Sequence, residues 1–252
     1  MKRVVTGVIL AVFGLWAIFY SPQVIFIAIT ALIACACYHE FSGIARASGI
    51  DSSLLWIGYA AGLAAMWRPD TLSVGALIVM IAALSLKDLS KALTFSAAVL
   101  LGVIYVFLPW KWAVELRAMN PAWLFFAMSI NWVGDTAAYV VGRAIGKNKL
   151  APQVSPGKSW EGTIGAVVVC AIYGLIYNQQ AHLGLVWPLM LALTILTNIA
   201  GQFGDLAESA FKRGAGVKDS GNLLPGHGGM LDRLDSSLFT LPLVYFFLIW
   251  FR

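Results

Sequence analysis

Residues 4–38 read VVTGVILAVFGLWAIFYSPQVIFIAITALIACACY and contain no Asp, Glu, Lys or Arg. A helix needs about 17–25 mostly apolar residues to cross the hydrocarbon core of a membrane. These 35 residues are therefore long enough for two crossings. The turn-forming pair Ser21-Pro22 lies near the middle of the stretch and predicts where the chain turns back.

The rest of the chain has the same character. Its 252 residues are 60% hydrophobic and 12% charged, whereas soluble domains carry about 25% charged residues, so a soluble globule is excluded. The other uncharged runs are residues 52–67, 71–86, 92–110, 118–134, 162–204 and 236–251. The long run 162–204 is double and is divided at Asn178-Gln179-Gln180 with His182 and Gly184. We predict an all-α polytopic integral membrane protein with about nine transmembrane helices.

The distribution of positive charge predicts the orientation. Nine spans place the N-terminus and the loops after even-numbered helices on one side of the membrane, and that side carries 13 of the 17 Lys and Arg residues. Because cytoplasmic loops are enriched in Lys and Arg, we predict a cytoplasmic N-terminus. The cations are dispersed over loops and form no recognisable nucleic-acid module, so nucleic acid is not an expected partner.

Polar residues gather first in residues 131–162, NWVGDTAAYVVGRAIGKNKLAPQVSPGKSWEG. Asp135 lies within an apolar helix predicted over about residues 122–141, where a carboxylate usually faces a partner, a water-filled cavity or a site. Pairing with Arg143 or a lysine is the structural alternative. Residues 157–159, Gly-Lys-Ser, look like the end of a P-loop, but Pro152 replaces the required glycine and no strand is predicted before them, so a P-loop is rejected.

The second polar segment is residues 201–236, GQFGDLAESAFKRGAGVKDSGNLLPGHGGMLDRLDS. Asp205, Glu208, Ser209 and Lys212 recur at helical spacing and so share one face of a helix. Two carboxylates on one stripe suit Mg²⁺, which is held by one or two carboxylates together with substrate phosphates. Asp232 and Asp235 stand three residues apart where the next apolar helix begins, and there they could also cap that helix.

The connection between these acids combines cations with glycines. The cations are Lys212, Arg213, Lys218, His227 and Arg233, and the glycines are Gly214, Gly216, Gly221, Gly226, Gly228 and Gly229. Cationic side chains beside exposed backbone N–H groups are what a polyphosphate requires. The loops of both polar segments follow even-numbered helices. We therefore predict a metal–phosphate site at the cytoplasmic membrane surface.

Several of these segments together resemble the signature of the phosphatidate cytidylyltransferases, also called CDP-diacylglycerol synthases. The segments are residues 209–213, 218–221, 224–229 and 232–235, and residues 3–7, 134–139, 142–143 and 155–162 are similar to further regions of that family. The resemblance extends over the whole chain. It implies a single membrane-embedded domain over 1–252, in which 1–121 is mainly scaffold and 122–252 carries the active-site segments.

The resemblance implies an enzyme of phospholipid biosynthesis in the cytoplasmic (inner) membrane. Such an enzyme joins CTP to the membrane lipid phosphatidate, releases pyrophosphate and leaves CDP-diacylglycerol in the membrane. It also implies dependence on Mg²⁺, with a second cation as a further option, and a homodimer. In the family the metal ligands match Asp205 and Asp232, with Asp235 close by.

We assign the remaining roles on chemical grounds. The candidate catalytic residues are Asp205, Asp219, Asp232, Asp235, Lys218 and His227, with Glu208 as a further ligand or orienting group. The candidate substrate-binding residues are Lys212, Arg213, Arg233, Gly228, Gly229, Asp135, Lys158 and Ser155. The first five of these face the phosphates of CTP, and the last three complete either the CTP pocket or the phosphatidate head-group site.

Two alternatives stay open. Another CTP-dependent lipid enzyme, of the CDP-archaeol synthase or polyprenol kinase type, would need similar chemistry. An ion-coupled transporter would also place acids in membrane helices. Transport sites usually lie near the middle of the bilayer, whereas here the acids and cations concentrate near one face, which favours an enzyme.

Overall fold

The protein is almost entirely helical. A computed structural model describes residues 2–51, 53–224, 226 and 228–251, with residues 2–6 described by their backbone. The α-helices of this part of the chain are α1 Lys2–Phe19, α2 Gln23–Ala47, α3 Ile57–Trp67, α4 Leu72–Ala83, α5 Ala92–Gly102, α6 Leu108–Met119, α7 Pro121–Ile145, α8 Trp160–Gln180, α9 Trp187–Gly214 and α10 Leu231–Phe251. A π-helical segment, Val103–Phe107, joins α5 to α6.

Six helical runs are long and apolar enough to cross a membrane. They are Gln23–Ala47, Leu89–Met119, Pro121–Ile145, Trp160–Gln180, Trp187–Gly214 and Leu231–Phe251. Large apolar side chains are exposed on several helices, for example Val24 at 77%, Leu32 at 71% and Leu93 at 80%. Soluble monomers rarely expose extensive apolar surface. The fold is thus that of an all-α membrane protein.

The two predicted turns are confirmed, the second at His182 and Gly184, whereas Asn178, Gln179 and Gln180 belong to the end of α8. Residues 20–22 separate α1 from α2, and residues 181–186 separate α8 from α9. Three further apolar helices, Gly7–Phe19, Ile57–Trp67 and Pro69–Ala83, are shorter than the six long ones. An eleven-residue helix such as α3 is only about 16 Å long, against a hydrocarbon core of about 30 Å. The count of nine spans therefore stays a prediction.

A short hairpin was not predicted from the sequence. Strands β1, Lys149–Ala151, and β2, Ser155–Ser159, pair antiparallel with Lys149 opposite Ser159. Strands of three and five residues are too short to show a clear alternation of apolar and polar side chains. Gly157, Lys158 and Ser159 lie within β2 itself and not in a loop between a strand and a helix. The expectation that no strand precedes α8 was wrong, but the rejection of a P-loop remains.

The described chain divides into two compact units. The first comprises Met1–Val114 and Phe211–Leu234, and the second comprises Glu115–Ala210 and Asp235–Arg252. The boundaries between the units fall within α6, within α9 and within α10. The single domain expected over 1–252 stays a prediction.

The first unit has an aromatic core centred on α2. The Tyr38 ring lies 5.4 Å from that of Phe107 and 4.8 Å from that of Tyr59, measured between centroids. Phe211 packs edge-on against Phe41 at 6.3 Å and against Tyr105 at 6.0 Å. Because Phe211 begins the second segment of this unit, these contacts attach residues 211–234 to α2.

The second unit is held together by close helix contacts and buried hydrogen bonds. Gly162 on α8 approaches α7 so closely that an added Cβ would lie 2.7 Å from the Ala138 carbonyl oxygen. Asn131 of α7 donates to Ser237 Oγ at 3.3 Å and to Thr240 Oγ1 at 3.2 Å, both on α10. Small residues and interhelical hydrogen bonds are the usual means of helix association in membranes. They fix α7, on which Asp135 lies, against its neighbours.

Candidate active site

Asp232 organises the polar loop of the first unit. Its carboxylate accepts hydrogen bonds from the backbone N–H of Ser220, at 3.1 Å to Oδ2, and from that of Gly229, at 2.9 Å. The Lys212 ammonium donates to Oδ1 at 2.5 Å, and both side chains of this ion pair are only 10% exposed. Asp232 therefore connects Lys212, near the end of α9, to Ser220 and Gly229 in the loop between α9 and α10.

These contacts bear on the alternative that Asp232 merely caps α10. Asp232 lies in the first turn of α10, where a negative charge complements the helix dipole. The backbone N–H groups that donate to it, those of Ser220 and Gly229, precede the helix and belong to the loop. The side chain therefore fastens the loop, and capping does not describe its contacts.

The other candidates of the first unit lie around this centre. Gly228 is so close to Asp232 that an added Cβ would be 3.2 Å from Oδ2, and its carbonyl accepts from Leu224 N at 3.0 Å. Arg213 donates to the Val217 carbonyl at 3.2 Å. Lys218, Asp219 and Arg233 are exposed, so they are accessible to a soluble ligand. His227 lies outside the described residues.

One carboxylate of this unit was not predicted from the sequence as a site residue. Glu40, near the end of α2, is 3% exposed, and its Oε2 accepts from Ser220 Oγ at 3.1 Å and from Leu231 N at 2.8 Å. The uncharged run 4–38 ends two residues earlier, and Glu40 was not among the predicted site residues. An acid in the helix 23–47 was nevertheless a usable signal, because ionisable residues in membrane helices usually mark a site.

In the second unit, Asp205 pairs with a lysine from the hairpin. Asp205 Oδ2 lies 2.5 Å from the Lys158 ammonium, and Oδ1 accepts from Ser209 Oγ at 3.3 Å. Asp135 on α7 interacts electrostatically with both members of this pair. Arg143 instead donates to the Tyr139 hydroxyl at 2.9 Å. The polar surroundings of Asp135 are thus provided by Lys158 and Asp205.

The start of α8 positions Lys158. Ser159 caps the helix by accepting from Gly162 N at 3.2 Å. The Glu161 carboxylate accepts from the Asn148 side chain at 2.8 Å, and Trp160 N donates to the Asn148 carbonyl at 3.0 Å. These bonds hold the start of α8, which directly follows β2, against Asn148, which precedes β1. Ser155, at the far end of β2, is half-buried.

Asp235 and Glu208 are buried members of the second unit. Asp235 is 8% exposed and accepts from Ser236 N at 2.6 Å, and Glu208 is 0% exposed. An added Cβ on Gly204 would lie 2.7 Å from the Asp235 carbonyl oxygen. Since Gly204 directly precedes Asp205, α9 and α10 touch where each carries one of the predicted metal ligands.

The donor chemistry of both units suits a hard cation. Asp205 and Asp232 offer carboxylate oxygens, and each is balanced by a lysine ammonium. Among the residues that the structure describes, no group of three or more Asp, Glu, His or Cys side chains is arranged to hold a metal ion. Mg²⁺ keeps several waters and usually takes one or two carboxylates plus substrate phosphates. The residues present therefore fit Mg²⁺ bound together with a phosphate substrate.

Substitution of Gly229 tests the packing of the loop. In Gly229→Ala the new Cβ would collide with Ser220 Oγ and lie 2.6 Å from Glu40 Oε2. We expect enzymatic turnover to fall by about tenfold or more, since loss of hydrogen bonds to charged groups costs about 1.5–3 kcal/mol each. Gly14→Ala on α1 is the matched control, because nothing lies within 4 Å of its added Cβ. Equal activity of the two variants would contradict the described packing.

Comparison with known proteins agrees with these features. The sequence model of the cytidylyltransferase family matches residues 1–251. A phosphatidate cytidylyltransferase of Bacillus subtilis (strain 168) is 33% identical over 263 aligned residues, which cover 99% of this chain and 98% of the relative. Phosphatidate cytidylyltransferases of Staphylococcus saprophyticus and Staphylococcus epidermidis are 42% and 44% identical over 154 residues, covering 61% of this chain and 59% of each relative.

Proposed function

This chain belongs to the cytidylyltransferase family, and from that premise we propose that it converts CTP and phosphatidate into CDP-diacylglycerol and pyrophosphate. A phosphate oxygen of phosphatidate attacks the α-phosphorus of CTP, and pyrophosphate leaves. The attacking oxygen is already anionic near neutral pH, so no general base is needed. The protein's main task is to bring polyanions together, which is a problem of electrostatics and positioning.

The two lysine–aspartate pairs are the observation that carries this proposal. Lys158 is paired with Asp205 in one unit, and Lys212 is paired with Asp232 in the other. Lys158, Lys212 and Asp232 lie in segments that resemble the family signature, and the resemblance implies Asp205 as a metal ligand. In the proposed mechanism each ammonium balances its carboxylate before substrate binds and then donates to phosphate oxygens of CTP or phosphatidate.

Asp205 and Asp232, with Asp235 nearby, are the proposed Mg²⁺ ligands, and a second cation is a further part of the proposal. When bound, Mg²⁺ would offset the charge that develops on the α-phosphate and on the leaving pyrophosphate. Lys218, Arg213 and Arg233 would bind phosphates from the exposed side of the loop. The glycine-rich turn at Gly228 and Gly229, together with His227, would approach the triphosphate.

We propose nine spans, a cytoplasmic N-terminus and an active site on the cytoplasmic face of the inner membrane. The bias of Lys and Arg toward one set of loops supports this orientation, and it would make the site accessible to both water-soluble CTP and a membrane lipid. Accessibility of an N-terminal tag from the cytoplasmic side tests it. A homodimer is proposed from the family resemblance, and the mass of the purified protein in detergent tests it.

The experiment that tests the function uses the purified full chain in detergent. Incubation with CTP, Mg²⁺ and phosphatidate should release pyrophosphate and form CDP-diacylglycerol, and omission of phosphatidate should abolish both. Product only with an archaeol-type ether phospholipid or a polyprenol would overturn the substrate assignment in favour of the related CTP-dependent enzymes. Absence of product with every acceptor would favour a transporter.

Lys158 provides a sharper test of the charge pairing. Lys158→Ala removes the ammonium beside Asp205, and we expect kcat/KM for CTP or phosphatidate to fall about 100-fold because a charge-assisted phosphate contact is lost. Lys149→Ala on the neighbouring strand is the control, since Lys149 is exposed. If both variants retain wild-type kinetics, Lys158 does not contact substrate.

A further inference from the structure

Glu40 is buried in the first unit and belongs to none of the segments that resemble the family signature. It lies on α2, 180 residues before Ser220 and 191 before Leu231, whose hydrogen bonds both end on its Oε2. Burial of a carboxylate is costly unless the charge is hydrogen-bonded. Its retention at this position therefore calls for a role that an apolar residue of α2 could not fill.

The two donors to Glu40 come from opposite ends of one loop. The loop runs from Ser220, six residues after the end of α9 at Gly214, to Leu231, the first residue of α10. Leu231 N is one of the N–H groups that a helix leaves without an intrahelical partner, so Glu40 caps α10 from another helix and places negative charge at its positive end. Glu40 thereby closes the base of the loop.

Glu40 and Asp232 both accept hydrogen bonds from Ser220, each from a different group of that residue. Ser220 gives its backbone N–H to Asp232 and its hydroxyl to Glu40, at 3.1 Å in each case. Asp232 is also paired with Lys212. The loop that Glu40 and Asp232 hold therefore also determines the position of Lys212, the proposed phosphate-binding lysine.

Two glycines make room for the Glu40 carboxylate. An added Cβ on Gly221 would lie 2.5 Å from Oε1, and one on Gly229 would lie 2.6 Å from Oε2. Within the part of the chain that the structure describes, Oε1 is buried and makes no hydrogen bond. The backbone thus encloses Glu40 tightly, and a side chain at either glycine would displace it.

We propose that Glu40 is a positioning residue for the proposed reaction: from α2 it fixes the loop 220–231 so that Asp232, Lys212 and the glycine-rich turn at Gly228 and Gly229 keep the arrangement that binds CTP. This role rests on the proposed function for its kinetic consequence. Its structural consequence, a loop whose two ends are held by one carboxylate, is independent of that function.

Hydrogen–deuterium exchange of the full chain in detergent tests the structural part. In Glu40→Ala the segment 219–231 should exchange about tenfold faster or more, because the bond from Leu231 N is lost. Glu40→Gln keeps an oxygen acceptor and should remain near wild type. Ser42→Ala is the matched control, since Ser42 is also buried on α2 and donates to the His39 carbonyl of its own helix. Unchanged exchange in Glu40→Ala would overturn the proposal.

Kinetics test the positioning part. We expect Glu40→Ala to raise the KM for CTP about tenfold or more and to leave the KM for phosphatidate within about twofold of wild type. Glu40→Gln should restore most of the activity, and a general loss of packing would not be rescued in this way. If Glu40→Ala does not fold, Ser220→Ala removes one of the two bonds and should shift the KM for CTP in the same direction.

The exchange and kinetic measurements together distinguish an error in the proposed function from an error in the role of Glu40. If the wild-type chain makes no CDP-lipid, the proposed function is wrong, while the exchange of segment 219–231 still decides the role of Glu40. If the wild type is active and Glu40→Ala has an unchanged KM for CTP, Glu40 is not a positioning residue.

Discussion

Asp232→Asn is expected to lower kcat by about 100- to 1,000-fold, the range found when one preorganised electrostatic contact to a transition state is removed. The substitution preserves the shape of the side chain but removes the charge that balances Lys212 and that is proposed to bind Mg²⁺. The measurement is CTP-dependent formation of CDP-diacylglycerol by the purified variant. Asp70→Asn is the control, because Asp70 forms an exposed ion pair with Arg68, and such pairs contribute little.

Loss of stability must be separated from loss of chemistry in this variant. The Lys212–Asp232 pair is only 10% exposed, and removing one partner of a buried pair costs about 3–5 kcal/mol because the other charge is left uncompensated. The double variant Lys212→Met/Asp232→Asn removes both charges and should recover much of the thermal stability. We expect its activity to stay low. Recovery of activity as well would mean that Asp232 serves only to pair with Lys212.

Asp205→Asn is the second substitution with a large expected effect. Asp205 pairs with Lys158, and its side chain is 31% exposed, so it is accessible to an ion that arrives with CTP. We expect kcat to fall about 100- to 1,000-fold and the concentration of Mg²⁺ needed for half-maximal activity to rise. The measurement is a Mg²⁺ titration at saturating CTP and phosphatidate.

The matched control for Asp205 is Asp88→Asn. Asp88 is an exposed aspartate that accepts from Ser90 N at 3.1 Å and from Ser90 Oγ at 2.6 Å, far from the signature segments in sequence. It should keep wild-type kinetics and Mg²⁺ dependence. If Asp205→Asn behaves in the same way, Asp205 is not a metal ligand.

Much of the fold follows from local sequence properties. The turn at Ser21-Pro22 and the division of the run 162–204 are marked by turn-forming residues, and the structure has helix ends at both places. The helical spacing of Asp205, Glu208 and Ser209 placed them correctly on one helix, α9. These features depend on residues close together in the chain, which is why a single sequence reveals them.

The residues that were missed depend on contacts distant in sequence. Glu40 receives its donors from residues 180 and 191 positions away, and neither composition nor helical periodicity relates such positions. The hairpin before α8 is fixed by the hydrogen bond between Asn148 and Glu161. Both residues lie outside the two strands, so the strand sequences do not reveal this bond. The partner of Asp135 was likewise open from sequence, because Arg143 at helical distance was as plausible as a lysine from the loop.

The segments of this protein that bear charge are held by pairings within each unit. Lysine–aspartate pairs balance the proposed metal ligands, and Glu40 and Asp232 together close the loop between α9 and α10. Such preorganisation favours catalysis, because groups already in place need little rearrangement when the transition state forms. These groups lie in a protein of which only 12% of the residues are charged.

The fate of the phosphates of CTP tests the proposed reaction most directly. The purified chain is incubated with phosphatidate, Mg²⁺ and CTP labelled at either the α- or the γ-phosphorus, and the lipid and aqueous phases are separated. Cytidylyl transfer predicts that the α-label enters the lipid phase as CDP-diacylglycerol and that the γ-label appears as aqueous pyrophosphate. Entry of the γ-label into lipid, or absence of the α-label from it, would contradict the proposed function.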